Sequence, residues 1–295
     1  MDDTASRIVS LAPSNTEILC ALGLTDRLVG VDADSDYPPE VQHLPKVGRG
    51  MEIDTVRIAE LKPDLVVAIL GAPGMELVVA RLEGQGLDCL TLAPRSLGDV
   101  MESFLLVGQA TGCEAAAQRM VDEINEAVER VATLAAEAES RPFVYWEWWP
   151  KPLVTAGRLS WITDMIEMAG GVNVFAELEQ ESPAIDEDLV FSKKPDVMIA
   201  SWCGAERQPD VEKLKSRRGW EMVPAMQQDR VYTLGDFPFD RPGPRLAEGL
   251  ELLARILHPE LFGSQGIGDK GNGKNPTIPQ PPSPGLEVTR DGSDA

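Results

Sequence analysis

TGCEAAAQRMVDEINEAVERVATLAAEAES, residues 111–140, is the helical pattern around which we interpret the whole chain. Beyond Gly112 it contains no Gly or Pro. Its apolar residues recur at helical spacing and indicate one buried face: Met120, Ile124, Ala127, Val128, Val131 and Leu134. Thr111 and Glu114 have the spacing of a capping box, so we expect the helix to begin there. About 27 residues would span about 40 Å, longer than the usual helix of a compact α/β domain, so we predict that it runs along two domains.

Strand and helix patterns alternate on both sides of this helix. KPDLVVA (62–68) before it and KPDVMIA (194–200) after it are each a Pro-Asp turn followed by a continuous apolar strand. This internal echo predicts two similarly built α/β lobes with parallel sheets. The predicted strands cover residues 7–11, 28–31, 64–70 and 88–92 in the first lobe, and 143–146, 197–200 and 230–234 in the second.

The domain boundaries follow from the same pattern. We place the N-terminal α/β lobe at residues 1–110, the connecting helix at 111–140 and the C-terminal α/β lobe at 141–262. Residues 263–295 are dominated by Gly, Pro and polar residues, so we predict a disordered tail.

Composition excludes several classes of function. A chain of 295 residues with 43% hydrophobic residues suits two domains of ordinary size. The net charge of −21 argues against a nucleic-acid or anionic-membrane partner. No run approaches the roughly 18 apolar residues of a membrane span, so we expect no membrane insertion. The cysteines form no C-x-x-C pair and are expected to be free thiols rather than a metal or redox site: Cys20, Cys89, Cys113 and Cys203.

The N-terminal residues MDDTASRIVSLAPSN lack the basic start and the apolar core of a secretory signal. Two interpretations stay open at this point. Either the chain is a mature or trimmed form, or the protein stays inside the cell.

Aromatic side chains concentrate in the loops that follow the predicted strands, where α/β lobes bind ligands. They are Tyr37, Trp148, Trp149, Trp202, Phe237 and Phe239. Since only 5% of the chain is aromatic, this clustering favours a large, flat, mostly apolar ligand in a cleft between the lobes. Tyr37 precedes two prolines, and its alternative role is to fill the core of its own loop. In the last of these loops we expect Arg241 to be tied by neighbouring acids such as Asp240, and Asp236 to accept a hydrogen bond from ligand or backbone.

Catalytic motifs are absent from the sequence. His43 and His258 are the two histidines, and both positions favour a structural or solvent-facing role. No G-x-S-x-G, H-E-x-x-H, Walker A or G-x-G-x-x-G pattern occurs. We therefore expect no enzyme activity, no cofactor and no metal site.

Several stretches together resemble the substrate-binding proteins of ABC importers for vitamin B12 and ferric siderophores, most closely the vitamin B12 (cobalamin)-binding branch. They are RIVSLAPSNTEI (7–18), LVGVDADSDYPPE (28–40), RIAELKPDLVVA (57–68), TAGRLSWITDMIEMAGGVNVF (155–175), KKPDVMIA (193–200) and FDRPGPRL (239–246). The resemblance covers about residues 7–258. It implies two Rossmann-like α/β lobes joined by one long helix, the helical-backbone metal receptor or class III periplasmic-binding-protein fold, with limited closure and no catalysis.

The resemblance also implies ligand contacts. The aspartate-aromatic loop that contacts corrin in the family matches Asp236, Phe237, Asp240 and Arg241, and the second-lobe aromatic matches Trp148. Two further ligand positions depart from the family: a tyrosine expected as a ligand contact falls on Asp34, and a tryptophan expected near Gly50 or Met51 is missing. Another expected tryptophan is missing near Ile69 or Leu70, and Ala169 stands where a disulfide cysteine is expected. Trp149 and Trp202 are additional rings on the second lobe.

Partners follow from the same resemblance. The protein is expected to be a monomer outside the cytoplasm that binds cobalamin or a related corrinoid and delivers it to the permease and ATPase subunits of an importer. Glu76 and Glu206 match the acidic residues that dock onto the permease. A ferric siderophore or haem is the alternative ligand within this class. An intracellular corrinoid-handling protein or enzyme is the alternative outside it.

Overall fold

The first lobe is a parallel sheet covered by helices. The computed structural model describes residues 4–71, 74–202 and 210–263, and of Asp236 and Phe237 the backbone alone. The lobe contains β1 (Ile8–Ser10), α1 (Pro13–Ala21), β2 (Leu28–Val31), α2 (Thr55–Glu60), β3 (Leu65–Ile69), α3 (Met75–Gly84), β4 (Cys89–Leu92) and α4 (Leu97–Thr111). The strand order is β2-β1-β3-β4 and every pairing is parallel. All four predicted strands are confirmed within one residue at each end.

The long helix and the second lobe follow. Their elements are α5 (Glu114–Ala135), β5 (Phe143–Pro150), β6 (Leu153–Thr155), α6 (Trp161–Met168), β7 (Val172–Asn173), β8 (Ala184–Ile185), α7 (Glu187–Lys193), β9 (Val197–Ala200), α8 (Val211–Lys215), α9 (Pro224–Gln227), β10 (Val231–Thr233), α10 (Asp236–Phe239), α11 (Leu246–Leu257) and α12 (Pro259–Phe262). The sheet order is β10-β9-β5-β6-β8, with β7 also paired to β5. The sequence did not predict β6, β7 and β8, which are strands of two or three residues.

The predicted start and end of the long helix are corrected by the structure. Gly112 adopts a left-handed conformation with φ of 71° and ends α4, so α5 begins at Glu114 and spans 22 residues, about 33 Å. The Thr111 hydroxyl donates to the carbonyl of Val107 within α4, at 2.7 Å. The predicted capping box between Thr111 and Glu114 is therefore wrong. The chain turns sharply at Gly112 and α5 packs back against α4.

The two KPD motifs make the same local structure. Lys62 and Lys194 each end a short helix in the left-handed region, with φ of 49° and 50°. The following aspartates then accept hydrogen bonds from the first residues of a neighbouring strand. Asp64 accepts from the Arg7 N–H at 2.9 Å and Asp196 from the Phe143 N–H at 2.9 Å. The echo therefore marks equivalent central strands, β3 and β9, in two similarly built lobes.

A layer of helices joins the lobes into one apolar core. Helix α5 packs against α4 of the first lobe and against α6 and α11 of the second, and α4 also contacts α6. Buried residues of both sheets belong to this same core, among them Ile8 and Trp146. The backbone N–H of Leu97 donates to the Asp164 carboxylate at 2.6 Å and ties α4 to α6. The connecting helix thus lies inside a packed layer, which restricts how far the lobes can separate.

Candidate ligand-binding cleft

Four charged side chains join the loops of the two lobes, and we call them the inter-lobe clasp: Glu17, Asp36, Arg241 and Arg245. Glu17 lies on α1, and its side chain is 3% exposed. Arg245 donates to both of its carboxylate oxygens, at 2.8 and 2.6 Å, in a bidentate pair. Arg241 Nη1 donates to Glu17 Oε1 at 3.1 Å and to Asp36 Oδ1 at 2.6 Å. Two carboxylates and two guanidinium groups make the clasp neutral.

A buried hydroxyl network holds the loop that carries Asp36. The Ser35 hydroxyl donates to the Asp32 carboxylate and shares a 2.7 Å hydrogen bond with the Thr16 hydroxyl of α1. Lys46 Nζ donates to the Ser35 carbonyl at 2.5 Å. Burial raises the pKa of Asp32, although the hydrogen bond from Ser35 opposes this effect. The loop is therefore anchored to α1, which sets the position of Asp36 relative to Glu17.

Tyr37 is the one predicted first-lobe ring in the described loops, and it packs against the clasp residue Arg245. The Arg245 guanidinium lies 3.9 Å from the centre of its half-buried ring, a cation-π contact. Sequence reasoning missed both Glu17 and Arg245. Arg245 stands in the FDRPGPRL stretch, but its partner lies 228 positions away, so no local pattern connects the two.

Two tryptophans form an accessible aromatic pair on the second lobe. Trp149 lies near the end of β5 and is 42% exposed. Trp202, two residues beyond the end of β9, is half-buried. Their ring centres are 6.2 Å apart with an interplanar angle of 55°. Both rings were predicted to contact the ligand, and the structure brings them together.

Two other predicted rings are buried, which corrects their expected role. Phe239 is fully buried against Trp146, with ring centres 5.1 Å apart, and its carbonyl accepts a hydrogen bond from the Trp161 indole. Trp148 is 8% exposed and packs edge-on against Trp146 at 5.5 Å. Side chains alternate along a strand, so Trp146 and Trp148 face the helical layer while Tyr145 and Glu147 face the other side. These two rings support the cleft from within the core.

The first-lobe positions that depart from the family pattern are polar or flexible. Asp34 is ion-paired with Arg49 at 3.1 Å, and both side chains are exposed. Gly50 and Met51 open a single 3-10 turn. The Met51 side chain is 61% exposed and lies over Gly74, where an added Cβ would come within 2.7 Å of its sulfur. Met51 therefore places a polarisable apolar side chain close to where the resemblance predicted a ring.

Some of the remaining predicted positions lie on the surface, and others lie outside the residues that the structure describes. Glu76 is exposed in the first turn of α3, whereas Glu206 lies outside the described residues. Asp236 and Phe237 are described by backbone alone, as the start of α10, and Asp240 is half-buried beside Arg241. Residues 264–295 of the predicted tail and Cys203 also lie outside the described residues.

The two histidines occupy one buried and one exposed position. His258 is 2% exposed and its Nε2 is 3.2 Å from the Gly170 carbonyl, so its predicted structural role is confirmed. His43 is exposed. Cys20, Cys89 and Cys113 are half-buried free thiols. Within residues 4–71, 74–202 and 210–263, no group of His, Cys, Asp and Glu is arranged to hold a metal ion. Among the described helices, none combines the length and apolar character needed to cross a membrane.

Two α/β lobes that share a helical layer, and whose strand-end loops gather charged and aromatic side chains, have the architecture of a ligand-binding protein with limited lobe motion. The chain belongs to the periplasmic binding protein family, whose model matches residues 8–237. Its fold is that of the class III periplasmic binding proteins. It is a substrate-binding protein of ABC importers, a class that works with permease and ATPase subunits. Members of this family are solute-binding proteins rather than enzymes.

Three relatives illustrate the range of the family. The chain is 32% identical over 263 residues to YvrC of Bacillus subtilis, described as an uncharacterized ABC transporter substrate-binding lipoprotein, covering 87% of this chain and 81% of that protein. The crystal structure of the periplasmic vitamin B12 binding protein BtuF of Vibrio cholerae matches with a TM-score of 0.72 and 28% identity, covering 86% and 96% of the two chains. The periplasmic heme-binding protein RhuT from Roseiflexus sp. RS-1 matches with a TM-score of 0.76 and 28% identity, covering 88% and 98%.

Proposed function

We propose that this protein captures a corrinoid of the vitamin B12 type in the cleft between its lobes and delivers it to an ABC importer. The observation that carries the proposal is the pair of indoles, Trp149 and Trp202, on strand-end loops of the second lobe, together with the neutral pairing of the inter-lobe clasp. Aromatic faces bind large flat ligands through dispersion and burial of apolar area. A corrinoid has a flat macrocycle whose rim carries neutral amides, and this chemistry suits both features.

The charge distribution supports a corrinoid over a ferric siderophore. An anionic chelate needs guanidinium or ammonium groups that are free to bind it. The three arginines of the described cleft loops are each paired with a carboxylate: Arg49 with Asp34, Arg241 with Glu17 and Asp36, and Arg245 with Glu17. Lys151, exposed two residues after Trp149, is a further cation of these loops. An anionic chelate that needs several cationic partners would have to break the arginine pairs as well and leave their carboxylates uncompensated, which opposes its binding.

The similarity to relatives supports the same ligand class without separating its members. A protein described as binding vitamin B12 and another described as binding heme match this chain equally well, each at 28% identity. Both ligands are flat macrocycles, but heme also carries two anionic propionates. The neutral clasp favours the macrocycle with neutral substituents, so we place the corrinoid first.

Isothermal titration calorimetry with purified protein tests the proposal. We expect cyanocobalamin to bind with a Kd of about 1 μM or tighter, corresponding to about −8 kcal/mol. Replacement of Trp149 by Ala should weaken binding by about tenfold, since a stacked ring contributes about 1–1.5 kcal/mol beyond its buried area. Met222→Ala is the matched control, because Met222 is 75% exposed but lies before the amino end of β10, away from the cleft loops.

Two outcomes would contradict the corrinoid assignment. One is the absence of heat with cyanocobalamin at tens of micromolar protein. The other is tight binding of haemin or of a ferric hydroxamate siderophore with no competition from cyanocobalamin.

Delivery requires docking onto the importer, and Glu76 is our candidate contact on the first lobe. It is exposed at the start of α3. Its proposed counterpart on the second lobe is Glu206. Charge reversal at Glu76 should lower ligand uptake through a reconstituted importer and leave ligand affinity unchanged, because the side chain is remote from the aromatic pair in sequence and lobe.

A further inference from the structure

A buried carboxylate lies directly behind the aromatic pair. Glu147 is in β5, two residues before Trp149, and its side chain is fully buried. Four donors reach its two oxygens: Arg217 Nη1 and Nη2 at 2.6 and 2.7 Å, Tyr145 OH at 3.1 Å and the Trp202 indole Nε1 at 3.0 Å. Side chains from three segments of the second lobe therefore meet at one carboxylate: β5, the residues after β9 and the residues after α8.

This carboxylate is held rigidly by its partners. A buried charge is tolerated when it is paired and hydrogen-bonded, and the two parallel bonds from Arg217 fix its plane. Arg217 is in turn placed over the Trp220 ring, with its guanidinium carbon 4.9 Å from the ring centre, and Trp220 is fully buried. Burial raises the pKa of Tyr145 far above its usual range, so its hydroxyl stays a donor to Glu147 at all ordinary pH values. The position of Glu147 is thus set by the core.

We propose that Glu147 is a positioning residue for ligand binding, which holds the Trp202 indole by its N–H and so fixes the angle of that ring against Trp149. A tryptophan in a loop can otherwise rotate about two side-chain bonds, and ordering it on binding costs conformational entropy. The bond to Glu147 meets this cost during folding, so the two-ring surface exists before the ligand arrives.

The geometry also specifies what the ring offers to a ligand. With its N–H donated to Glu147, the Trp202 indole presents carbon atoms rather than a hydrogen-bond donor. The Trp202 ring therefore selects a ligand by its flat apolar area. That this ligand is a corrinoid macrocycle rests on the proposed function. Polar recognition is left to other groups of the cleft.

Proton NMR of ¹⁵N-labelled protein tests the positioning without any ligand. The Trp202 indole signal is assigned by its loss in Trp202→Phe. In the wild-type protein this N–H should exchange slowly with solvent. In Glu147→Gln, which keeps the shape but loses the charge, exchange should be at least about tenfold faster, because a hydrogen bond to a charged acceptor is roughly twice as strong as one to a neutral acceptor.

Tyr145→Phe is the matched control, since it removes another donor to Glu147 without touching the Trp202 bond. Its Trp202 exchange rate should stay within about threefold of the wild type, a change below about 1 kcal/mol. Arg217→Lys keeps the charge but loses the bidentate geometry. It is the second variant if Glu147→Gln does not fold by circular dichroism, and it should also accelerate exchange. Equal Trp202 protection in the wild type and in the folded Glu147 or Arg217 variant would overturn the inference.

Measurements of ligand affinity test whether Glu147 also matters for binding. If the wild type binds cyanocobalamin, Glu147→Gln should weaken binding by about tenfold, and Tyr145→Phe by less than about threefold. Equal affinities in the wild type and Glu147→Gln would refute the role in binding. If the wild type binds haemin instead, the same ratios are expected with haemin. The corrinoid assignment then fails, while the positioning role is judged by the exchange rates and these ratios.

Discussion

Removing the Glu17 carboxylate should destabilise the protein by about 3 kcal/mol, because two largely buried arginines, Arg241 and Arg245, then lose their shared partner. The Glu17 side chain is 3% exposed, and those of Arg241 and Arg245 are each 16% exposed. Deleting one member of a buried ion pair costs about 3–5 kcal/mol, since it leaves uncompensated charge. Here the lower end of that range applies. Arg241 keeps Asp36 and Arg245 keeps its stacking on the Tyr37 ring.

Urea unfolding of Glu17→Ala, followed by tryptophan fluorescence and by circular dichroism, measures this cost. The two signals should coincide, because the lobes share one core and are expected to unfold together. Glu17→Gln should cost less than Glu17→Ala, as the amide oxygen still accepts one hydrogen bond.

Glu251→Ala is the control for the removal of an ordinary surface carboxylate. Glu251 is 48% exposed and pairs with Arg255 at 3.5 Å one helical turn away, so the expected cost is below about 0.5 kcal/mol. If Glu17→Ala cost no more than this control, the clasp would contribute nothing to the union of the lobes. Unfolding signals that separate in the variant alone would show instead that the clasp couples the lobes.

Burial raises the pKa values of Asp32 and Asp164 and of two glutamates, Glu181 and Glu248. A carboxyl whose folded pKa is raised favours folding below its unfolded pKa and loses that contribution as pH rises through the folded pKa. We therefore expect Tm, measured by fluorimetric melts, to be higher near pH 5 than near pH 7.5. The difference should be smaller in Asp164→Asn, whose amide oxygen still accepts the Leu97 N–H. A Tm that rises steadily toward pH 7.5 would contradict this expectation. Gly108→Ala should destabilise by about 1–3 kcal/mol in urea unfolding, since the new Cβ would lie 2.5 Å from the Ala117 Cβ at the crossing of α4 and α5. Gly84→Ala, whose Cβ meets no atom within 4 Å, should be neutral or stabilising, and equal effects of the two would refute the tight crossing.

The two-lobed fold was predictable because its signals are local. Apolar strands and amphipathic helices have periods of two and 3.6 residues, which are visible in a single sequence. The paired KPD motifs added a second local signal, and both proved to mark equivalent strands, β3 and β9. The start of the long helix was predicted wrongly for an equally local reason. Thr111 fits the end of one helix as well as the cap of the next, and Gly112 was the residue that separated the two.

The aromatic site was predictable in kind but not ring by ring. EWWP places two neighbouring tryptophans on β5, and alternation requires that they face opposite sides of the strand. The sequence does not say which side the helical layer covers. Packing of that layer buries Trp148 and leaves Trp149 accessible. A β-bulge between Glu147 and Trp149 further alters the register at this point.

Local patterns of apolar, turn and helix-forming residues thus predict most of the elements, their order and the aromatic character of the strand-end loops, because each depends on neighbours a few residues apart. Local patterns do not predict which charged side chains pair. Glu17 meets Arg241 and Arg245 across 224 and 228 positions of chain, and Trp202 finds Glu147 across 55. Such contacts arise only when the folded lobes and the helical layer bring distant loops within 3 Å of one another, since hydrogen bonds and ion pairs depend on distance in space and leave no period in the sequence.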